Sequence, residues 1–115
     1  MKYMILIYSN EKAFTALPDA QLKERFGAYT AYTKALRDAG VMVDGSRLEG
    51  AKMATTIRLQ NGRRQVQDGP IAETKEQLGG YYIIEAPNAD AALDWAARCP
   101  GASYGAVELR PFAAM

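Results

Sequence analysis

The residues best suited to chemistry lie in one stretch, Asp68 to Glu85, which reads DGPIAETKEQLGGYYIIE. Its Asp68-Gly69-Pro70 turn is followed by charged residues and then by an aromatic, β-branched strand. Polar groups held between a turn and a strand have a fixed geometry, as binding and catalysis require. Asp68 is a candidate general acid or base, provided that an apolar cleft raises the pKa of its carboxyl group. The alternative is a structural role, in which the carboxylate accepts hydrogen bonds from amides of its own turn.

Four further residues are candidates for contact with a ligand. Lys75, in the charged connector, could anchor an anionic group; the alternative is a solvated side chain. Arg110, near the C-terminus, could bind a carboxylate through two parallel hydrogen bonds, or it could form an intersubunit or cross-strand ion pair. Tyr29 and Tyr82 come from an unusually large supply of seven tyrosines, most of which we expect in the core or at an interface. We predict that these two line a pocket.

Composition removes several classes of function. The chain has no histidine and one cysteine, Cys99, so an internal disulfide and a multi-thiolate metal site are excluded, and we expect neither metal nor cofactor. The net charge is +1 with both signs interspersed, which argues against nucleic acid and anionic membrane as partners. The apolar segment from Met1 to Tyr8 is too short to span a bilayer, and it lacks the features of a signal peptide. We therefore expect a cytoplasmic protein.

The hydrophobic pattern predicts strands separated by two long helices. The first helix begins at Pro18-Asp19 and ends before Gly40. The second is capped by Asn88 and ends at Cys99-Pro100-Gly101. Asn61-Gly62 predicts a tight hairpin. The predicted strands are 3–8, 41–43, 55–59, 64–67, 81–84 and 106–111.

Finer expectations concern the buried faces and the short connections. Spacings of three and four residues predict that one stripe of each helix is buried, comprising Leu22, Phe26, Tyr29, Thr33 and Leu36 in the first and Ala89, Leu93 and Ala96 in the second. A turn is expected at Asp44-Gly45-Ser46. A single helical turn is expected between Thr74 and Gln77, and the pair Gly79-Gly80 should allow a tight entry into the next strand.

This order of elements predicts the fold. Strand, helix, strand, hairpin, strand, helix, strand is the split βαβ, ferredoxin-like plan with an extra β-hairpin, in the α+β class. An antiparallel sheet with both helices on one face leaves its other face bare, and that face would carry apolar side chains from the strands at 3–8 and 81–84. Exposed apolar area of this extent indicates an interface, so we predict a twofold homodimer.

The chain also resembles a known family in three runs, with a similar N-terminus, KYMILIYSNE. The runs DGPIAETKEQLGGYYIIEAP, DAALDWAARCPGA and YGAVELRPF are similar to the DGPF-domain branch of the YCII-related family. The resemblance covers nearly the whole chain, and residues 1–115 are identified as a single YCII-related/DGPF domain. Ile71 stands where the phenylalanine of the branch's name would be, a conservative apolar change.

The resemblance implies a dimeric α+β barrel. It also implies a possible regulatory context, with a sigma-factor-related protein as partner. More distant YCII proteins have been proposed as enzymes because of a histidine and an aspartate whose positions fall near Tyr29 and Cys99-Pro100 here. Neither residue type is kept, so this dyad is not carried over.

Two hypotheses for function follow. In the first, the protein binds a small molecule in a cleft or acts as an accessory regulatory protein. In the second, it is a cofactor-independent isomerase or lyase that uses Asp68 as acid–base and Arg110 as an anion clamp.

Overall fold

The computed structural model describes residues 1–114, which form six strands and four helices. A single 3-10 turn spans Ala51–Met53. The strands are β1 (Lys2–Ser9), β2 (Met42–Arg47), β3 (Thr55–Gln60), β4 (Arg63–Asp68), β5 (Gln77–Glu85) and β6 (Ala106–Pro111), and the helices are α1 (Glu11–Thr15), α2 (Asp19–Asp38), α3 (Ala89–Arg98) and α4 (Gly101–Tyr104).

Four strands make one antiparallel sheet in the order β2-β5-β1-β6, and β3 pairs with β4 in a separate hairpin. With the hairpin set aside, this is the strand order of the ferredoxin-like plan, so the predicted fold class is confirmed. The hairpin turn carries Asn61 at φ 52° and Gly62 at φ 74°, as a two-residue type I′ turn requires.

The core lies between the sheet and the two long helices. Ile5 of β1, Ile84 of β5 and Leu36 of α2 are fully buried there. The predicted stripes are wrong at several positions. In α2, Tyr32 is buried although it lies outside the predicted stripe, and Phe26, which belongs to that stripe, is 40% exposed. In α3, both Ala89 and Leu93 are exposed. In α3 the buried residues are Ala92 and Ala96, whose small side chains allow the helix to approach the sheet closely.

The predicted turn at Asp44-Gly45-Ser46 is instead part of β2. A Cβ atom on Gly45 would lie 2.7 Å from Cδ1 of Tyr82. The glycine therefore makes room for the tyrosine ring of the neighbouring strand, rather than for a chain reversal. A register shift between Met42 and Asp44 accommodates one extra residue in β2.

Gly79 and Gly80 also lie inside a strand, because β5 begins at Gln77. Gly80 is needed for close approach, since a Cβ there would lie 2.9 Å from the Ser46 carbonyl oxygen. The helical turn expected from Thr74 is not formed. Instead, the Thr74 hydroxyl donates to the Glu76 carbonyl oxygen, and the side-chain amide of Gln77 donates to the Thr74 carbonyl oxygen. These two bonds make a compact bend before β5.

The other face of the sheet carries no element of residues 1–114. We call it the bare face. Its apolar side chains come from the two central strands, where Met4 lies opposite Ile83 and Leu6 lies opposite Tyr81. The molecule is accordingly thin, measuring 47 × 44 × 18 Å. Its radius of gyration of 16.1 Å exceeds the value of about 13 Å expected for a compact chain of this length, because the β3–β4 hairpin projects from the body.

Candidate ligand-binding site

Three tyrosines gather on the helix side of the sheet, and we call them the tyrosine cluster: Tyr29 and Tyr32 of α2 and Tyr82 of β5. The rings of Tyr32 and Tyr82 meet edge to face, with centroids 5.3 Å apart. Tyr32 and Tyr82 are buried and Tyr29 is half-buried. The strand supplies one ring and the helix supplies two, so the geometry of the cluster follows directly from the packing of α2 on β5.

Two of the three hydroxyl groups are bound within the chain. The Tyr32 hydroxyl donates to the Trp95 carbonyl oxygen over 2.6 Å, which ties α2 to α3. The Tyr82 hydroxyl lies 2.7 Å from the Thr33 hydroxyl. These bonds satisfy buried polar groups that would otherwise destabilise the fold.

The Tyr29 hydroxyl differs, because no group of residues 1–114 forms a hydrogen bond with it. It is nevertheless not sealed in the interior, since the described chain contains no buried side-chain oxygen without a partner. It lies beside Gly101 of α4, where a Cβ atom would be 2.9 Å from it. The Tyr29 hydroxyl therefore keeps some contact with solvent and has unused hydrogen-bonding capacity.

The cluster keeps its protons at neutral pH. Burial raises the pKa of Tyr29, and its neighbours Cys99, Tyr82 and Tyr104 raise it further, whereas Arg25 opposes the shift. Burial likewise raises the pKa of Tyr32. It also raises the pKa of Tyr82, against the opposing effect of the hydrogen bond with Thr33. All three side chains are therefore neutral phenols that can donate hydrogen bonds.

Cys99 lies against the cluster as a buried thiol with 1% exposure. Burial raises its pKa, although a hydrogen bond from the Gly101 amide opposes the shift. The side chain is therefore a neutral packing group at neutral pH. Tyr29 and Cys99, which lie near the positions that the resemblance assigns to the histidine and aspartate of more distant relatives, are close enough for Cys99 to raise the pKa of Tyr29.

A cation borders the cluster. The guanidinium carbon of Arg25 lies 4.0 Å above the ring centroid of Tyr104 in α4, and its charge reaches Tyr29. Sequence reasoning did not select Arg25, Tyr104 or Gly101. Arg25 could have been found from its spacing, because residues four apart lie on the same face of a helix and Arg25 precedes Tyr29 by four. The short helix α4 left no periodic signal.

The remaining predicted site residues lie elsewhere. Asp68 is exposed at the end of β4, and Lys75 is exposed in the connector before β5. Arg110 is 73% exposed and binds Glu108 of its own strand, with Nε and Oε2 separated by 2.8 Å. Since Arg110 lies opposite Met4 in the sheet, it belongs to the bare face. The structure thus brings Tyr29 and Tyr82 together but joins none of the other three to them.

The structural alternatives for Arg110 and Asp68 are an ion pair and hydrogen bonds within the turn, respectively. An ion pair at Arg110 was expected between strands or subunits, and the observed pair with Glu108 lies within one strand. Asp68 was expected to accept hydrogen bonds from its own turn, but its carboxylate accepts none from residues 1–114. Instead the Gly69 amide donates to the Ala54 carbonyl over 2.7 Å. The catalytic role of Asp68 and the ligand roles of Lys75 and Arg110 stay predictions.

No three metal-binding side chains gather within the described part of the chain. None of the helices found in residues 1–114 has the length and hydropathy that a bilayer crossing requires.

Comparison with known proteins identifies the family. The model of the YCII-related domain matches residues 1–115. The chain belongs to the YCII-related family. The finer assignment to the DGPF branch stays a prediction.

One relative of this YCII-related protein is an uncharacterised protein of Rhizobium meliloti (strain 1021). It is 36% identical over 115 residues, with 98% of this chain and 93% of the relative covered. A solved structure with a similar fold is the 5-chloro-2-hydroxyhydroquinone dehydrochlorinase of Burkholderia phenoliruptrix AC1100, in complex with 2,5-dihydroxybenzoquinone. Its TM-score is 0.59 at 16% identity, and the match covers 98% of this chain and 94% of the enzyme. At this identity the likeness shows the α+β fold alone.

Proposed function

We propose that this YCII-related protein binds a small, planar compound carrying hydroxyl or carbonyl oxygens at the tyrosine cluster. Tyr29 donates a hydrogen bond to an oxygen of the compound, and Arg25 favours a ring that carries negative charge. The single observation that supports the proposal is the Tyr29 hydroxyl, which has no partner in residues 1–114 while its two neighbours are both bound.

The chemistry of the cluster indicates the class of ligand. The neutral phenol of Tyr29 holds its proton and can donate a hydrogen bond to an oxygen acceptor. The exposed ring of Tyr104 beside Arg25 favours contact with a flat ring. The guanidinium group of Arg25 attracts phenolate or enolate oxygens. A hydroxylated quinone or a polyhydroxylated benzene has all three properties.

The fold neighbour supplies a probe. The dehydrochlorinase binds 2,5-dihydroxybenzoquinone, which is a planar ring with two hydroxyl and two carbonyl oxygens. That complex supports the proposal by showing that a protein of this fold accommodates such a ring. It does not assign the residues that contact it here.

The test is calorimetric titration of the purified protein with 2,5-dihydroxybenzoquinone and with 1,2,4-trihydroxybenzene. We expect saturable binding that weakens by about 5- to 10-fold in Tyr29→Phe, the effect of losing one neutral hydrogen bond. Tyr81→Phe is the matched control, because it removes a hydroxyl from the bare face and should leave the affinity unchanged. Equal affinities for the native protein and Tyr29→Phe would contradict the proposal, as would the absence of binding at millimolar concentrations of both probes.

The same experiment bears on the enzyme hypothesis. Assaying each bound probe for conversion, by absorbance and by mass, separates binding from turnover. Turnover that disappears in Asp68→Asn but persists in Tyr29→Phe would support an isomerase or lyase with Asp68 as acid–base at a site apart from the tyrosine cluster. Binding without conversion would leave the protein as a ligand-binding protein, which is the reading we favour. A sigma-factor-related partner stays a prediction.

A further inference from the structure

The β3–β4 hairpin forms an arm, residues 55–68, that pairs with no other strand of residues 1–114. Every residue of the arm is exposed except Thr56, which is half-buried. The cross-strand register places Ile57 opposite Val66 and Leu59 opposite Arg64. Ile57, Leu59 and Val66 therefore share one face, and they are 59%, 76% and 59% exposed.

The two faces of the arm differ in character: one carries Ile57, Leu59 and Val66 together with Arg64 and, at the root, Asp68, and the other is polar throughout. The register puts Thr56, Arg58, Gln65 and Gln67 on the face that does not carry the apolar residues, so that face is suited to water. Exposed apolar area is unfavourable by about 25 cal/mol per Å², and a two-stranded hairpin by itself is only marginally stable. An arm with this pattern is stabilised when another surface covers its apolar face.

The root of the arm is held in place by α1. Glu11 accepts a hydrogen bond from the Ala51 amide, on the incoming side, with Oε1 at 2.9 Å. Its own amide donates to Oε1 of Gln77, on the outgoing side, over 3.0 Å. One residue thus clamps both chain segments that lead to the arm. α1 is fixed in turn by the edge-to-face contact of Phe14 with Phe26, whose ring centroids are 5.8 Å apart.

Further hydrogen bonds stiffen the base itself. The Gly69 amide donates to the Ala54 carbonyl over 2.7 Å, and the Thr56 hydroxyl donates to the Gly69 carbonyl over 2.8 Å. Gly69 has φ +103°, which a residue with a side chain adopts only with strain. The DGP turn therefore sets the direction of the arm. A rigidly directed arm loses little conformational entropy when it docks.

The size of the bare face supports a second copy of the chain as the surface that covers the arm. Four strands spaced about 4.8 Å apart and about seven residues long give a projected area of roughly 450 Å². A stable interface buries about 800 Å² on each partner. Because a projected area is smaller than the accessible area that it represents, the bare face is of the size that an interface with a second copy requires, and the apolar side of each arm adds about 200 Å² in projection.

We propose that the arm is an intersubunit clasp. In a twofold homodimer the bare faces meet, and each arm reaches beyond the seam to lay Ile57, Leu59 and Val66 on the partner copy. The polar face of the arm stays in water. This inference is independent of the ligand proposed for the tyrosine cluster, since the cluster lies on the opposite side of the sheet.

The first test is sedimentation equilibrium on two matched triple variants of the full chain. Ile57→Thr, Leu59→Thr and Val66→Thr together keep the β-propensity of the arm and remove its apolar face. We expect the dimer dissociation constant to rise by at least about 100-fold. The control combines Arg58→Gln, Gln65→Thr and Gln67→Thr on the polar face, and it should dimerise like the native chain. Far-ultraviolet circular dichroism checks that both variants are folded.

The second test locates the arm directly. Leu59→Cys is labelled with a photoactivatable maleimide, since Cys99 is buried and does not compete in the folded protein. The labelled chain is mixed with an isotopically heavy copy and irradiated, and mass spectrometry separates cross-links within one chain from those between two. We expect links between light and heavy chains from position 59, and few from the matched variant Arg58→Cys.

Three outcomes would overturn the proposal. The native chain could stay monomeric at about 100 µM, a concentration well above typical dimer dissociation constants. The apolar-face variant could dimerise as tightly as its control. The cross-links from position 59 could lie within one chain, with none between light and heavy copies.

Discussion

The tyrosine cluster and the arm each include an aromatic or branched side chain from one face of a β-strand, yet these side chains are covered to very different degrees. Tyr82 of the cluster is 8% exposed, whereas Leu59 of the arm is 76% exposed. The cluster is covered by α2 from the same chain, while the arm meets no element of residues 1–114 that covers its apolar face. The stability of the single chain therefore resides in the helix face of the sheet, and the arm is available for assembly.

The two regions also differ in how their polar groups are satisfied. At the base of the arm the main chain and the side chains are paired locally, through Gly69, Ala54 and Thr56. In the cluster, one hydroxyl of three is left without a partner among the described residues. A region that leaves a polar group free while it is half-buried is suited to a small ligand, and a region that leaves apolar groups free is suited to a protein surface.

The largest expected effect comes from making the same substitution in the core beside the cluster and in the arm. Leu36→Ala removes a fully buried side chain, and we expect it to lower the free energy of unfolding by about 2–5 kcal/mol. Leu59→Ala should change it by less than about 0.5 kcal/mol when the chain is diluted to the monomer. Urea denaturation monitored by circular dichroism measures both. Similar losses in the two variants would break the distinction between a stabilising face and an assembling arm.

A second comparison uses two glycines. Gly101→Ala brings a Cβ to 2.7 Å from Cγ2 of Ile7 and 2.9 Å from the Tyr29 hydroxyl oxygen, so we expect a loss of about 1–3 kcal/mol together with weaker ligand binding. Gly27→Ala in α2 meets nothing within 4 Å and should stabilise the helix by about 0.5–1 kcal/mol. Thermal unfolding of both variants tests the steric argument. A neutral Gly101→Ala would show that the cluster can relax around Tyr29.

The smallest effect at ordinary pH, and the most specific to the cluster, is the dependence of stability on alkali. The pKa values of Tyr29, Tyr32, Tyr82 and Cys99 are all raised by burial. The folded chain therefore keeps protons that the unfolded chain releases, from about pH 9 for a thiol and about pH 10 for a phenol. The stabilisation is complete below those values and is lost as the pH rises.

Urea unfolding at pH 8, 9, 10 and 11 measures this decline. We expect Tyr29→Phe to decline less steeply between pH 10 and 11 than the native chain, because one of the protons involved is gone. An identical slope would show that the Tyr29 hydroxyl titrates alike in the folded and unfolded chains, and would remove it from the cluster's electrostatics.

Much of the fold could be predicted from the sequence because its signals are local. The caps at Pro18 and Asn88, the Asn61-Gly62 turn and the alternation in β6 each depend on residues near one another in the chain. The errors arose where tertiary contacts decide. Gly45 looks like a turn residue, but its lack of a side chain is required by the ring of Tyr82 directly opposite it on the neighbouring strand. Tyr32 is buried because α3 offers it the Trp95 carbonyl.

The candidate site was predicted less well for the same reason. Tyr29 and Tyr82 were selected for their type, and the structure brings them together. Tyr104 and Gly101 reach the cluster through α4, whose four residues carry no periodicity, whereas Arg25 lies four residues before Tyr29 in α2. Asp68 drew interest because its turn resembles a site, but that turn forms the base of the arm. The separation of the arm from the tyrosine cluster is set by the folded sheet, so it cannot be inferred from the spacing of residues in the sequence.

The clamp at Glu11 has a consequence for how the arm can change in length during evolution. Side chains of a strand alternate between faces, so one residue inserted into each strand at the root would turn Ile57, Leu59 and Val66 to the opposite side. Two residues inserted into each strand would restore their direction and move the tip outward by about 7 Å. Arm lengths that keep the apolar face pointing the same way therefore differ by multiples of four residues. In related chains whose arm acts as a clasp, the length of the arm should fall into discrete classes.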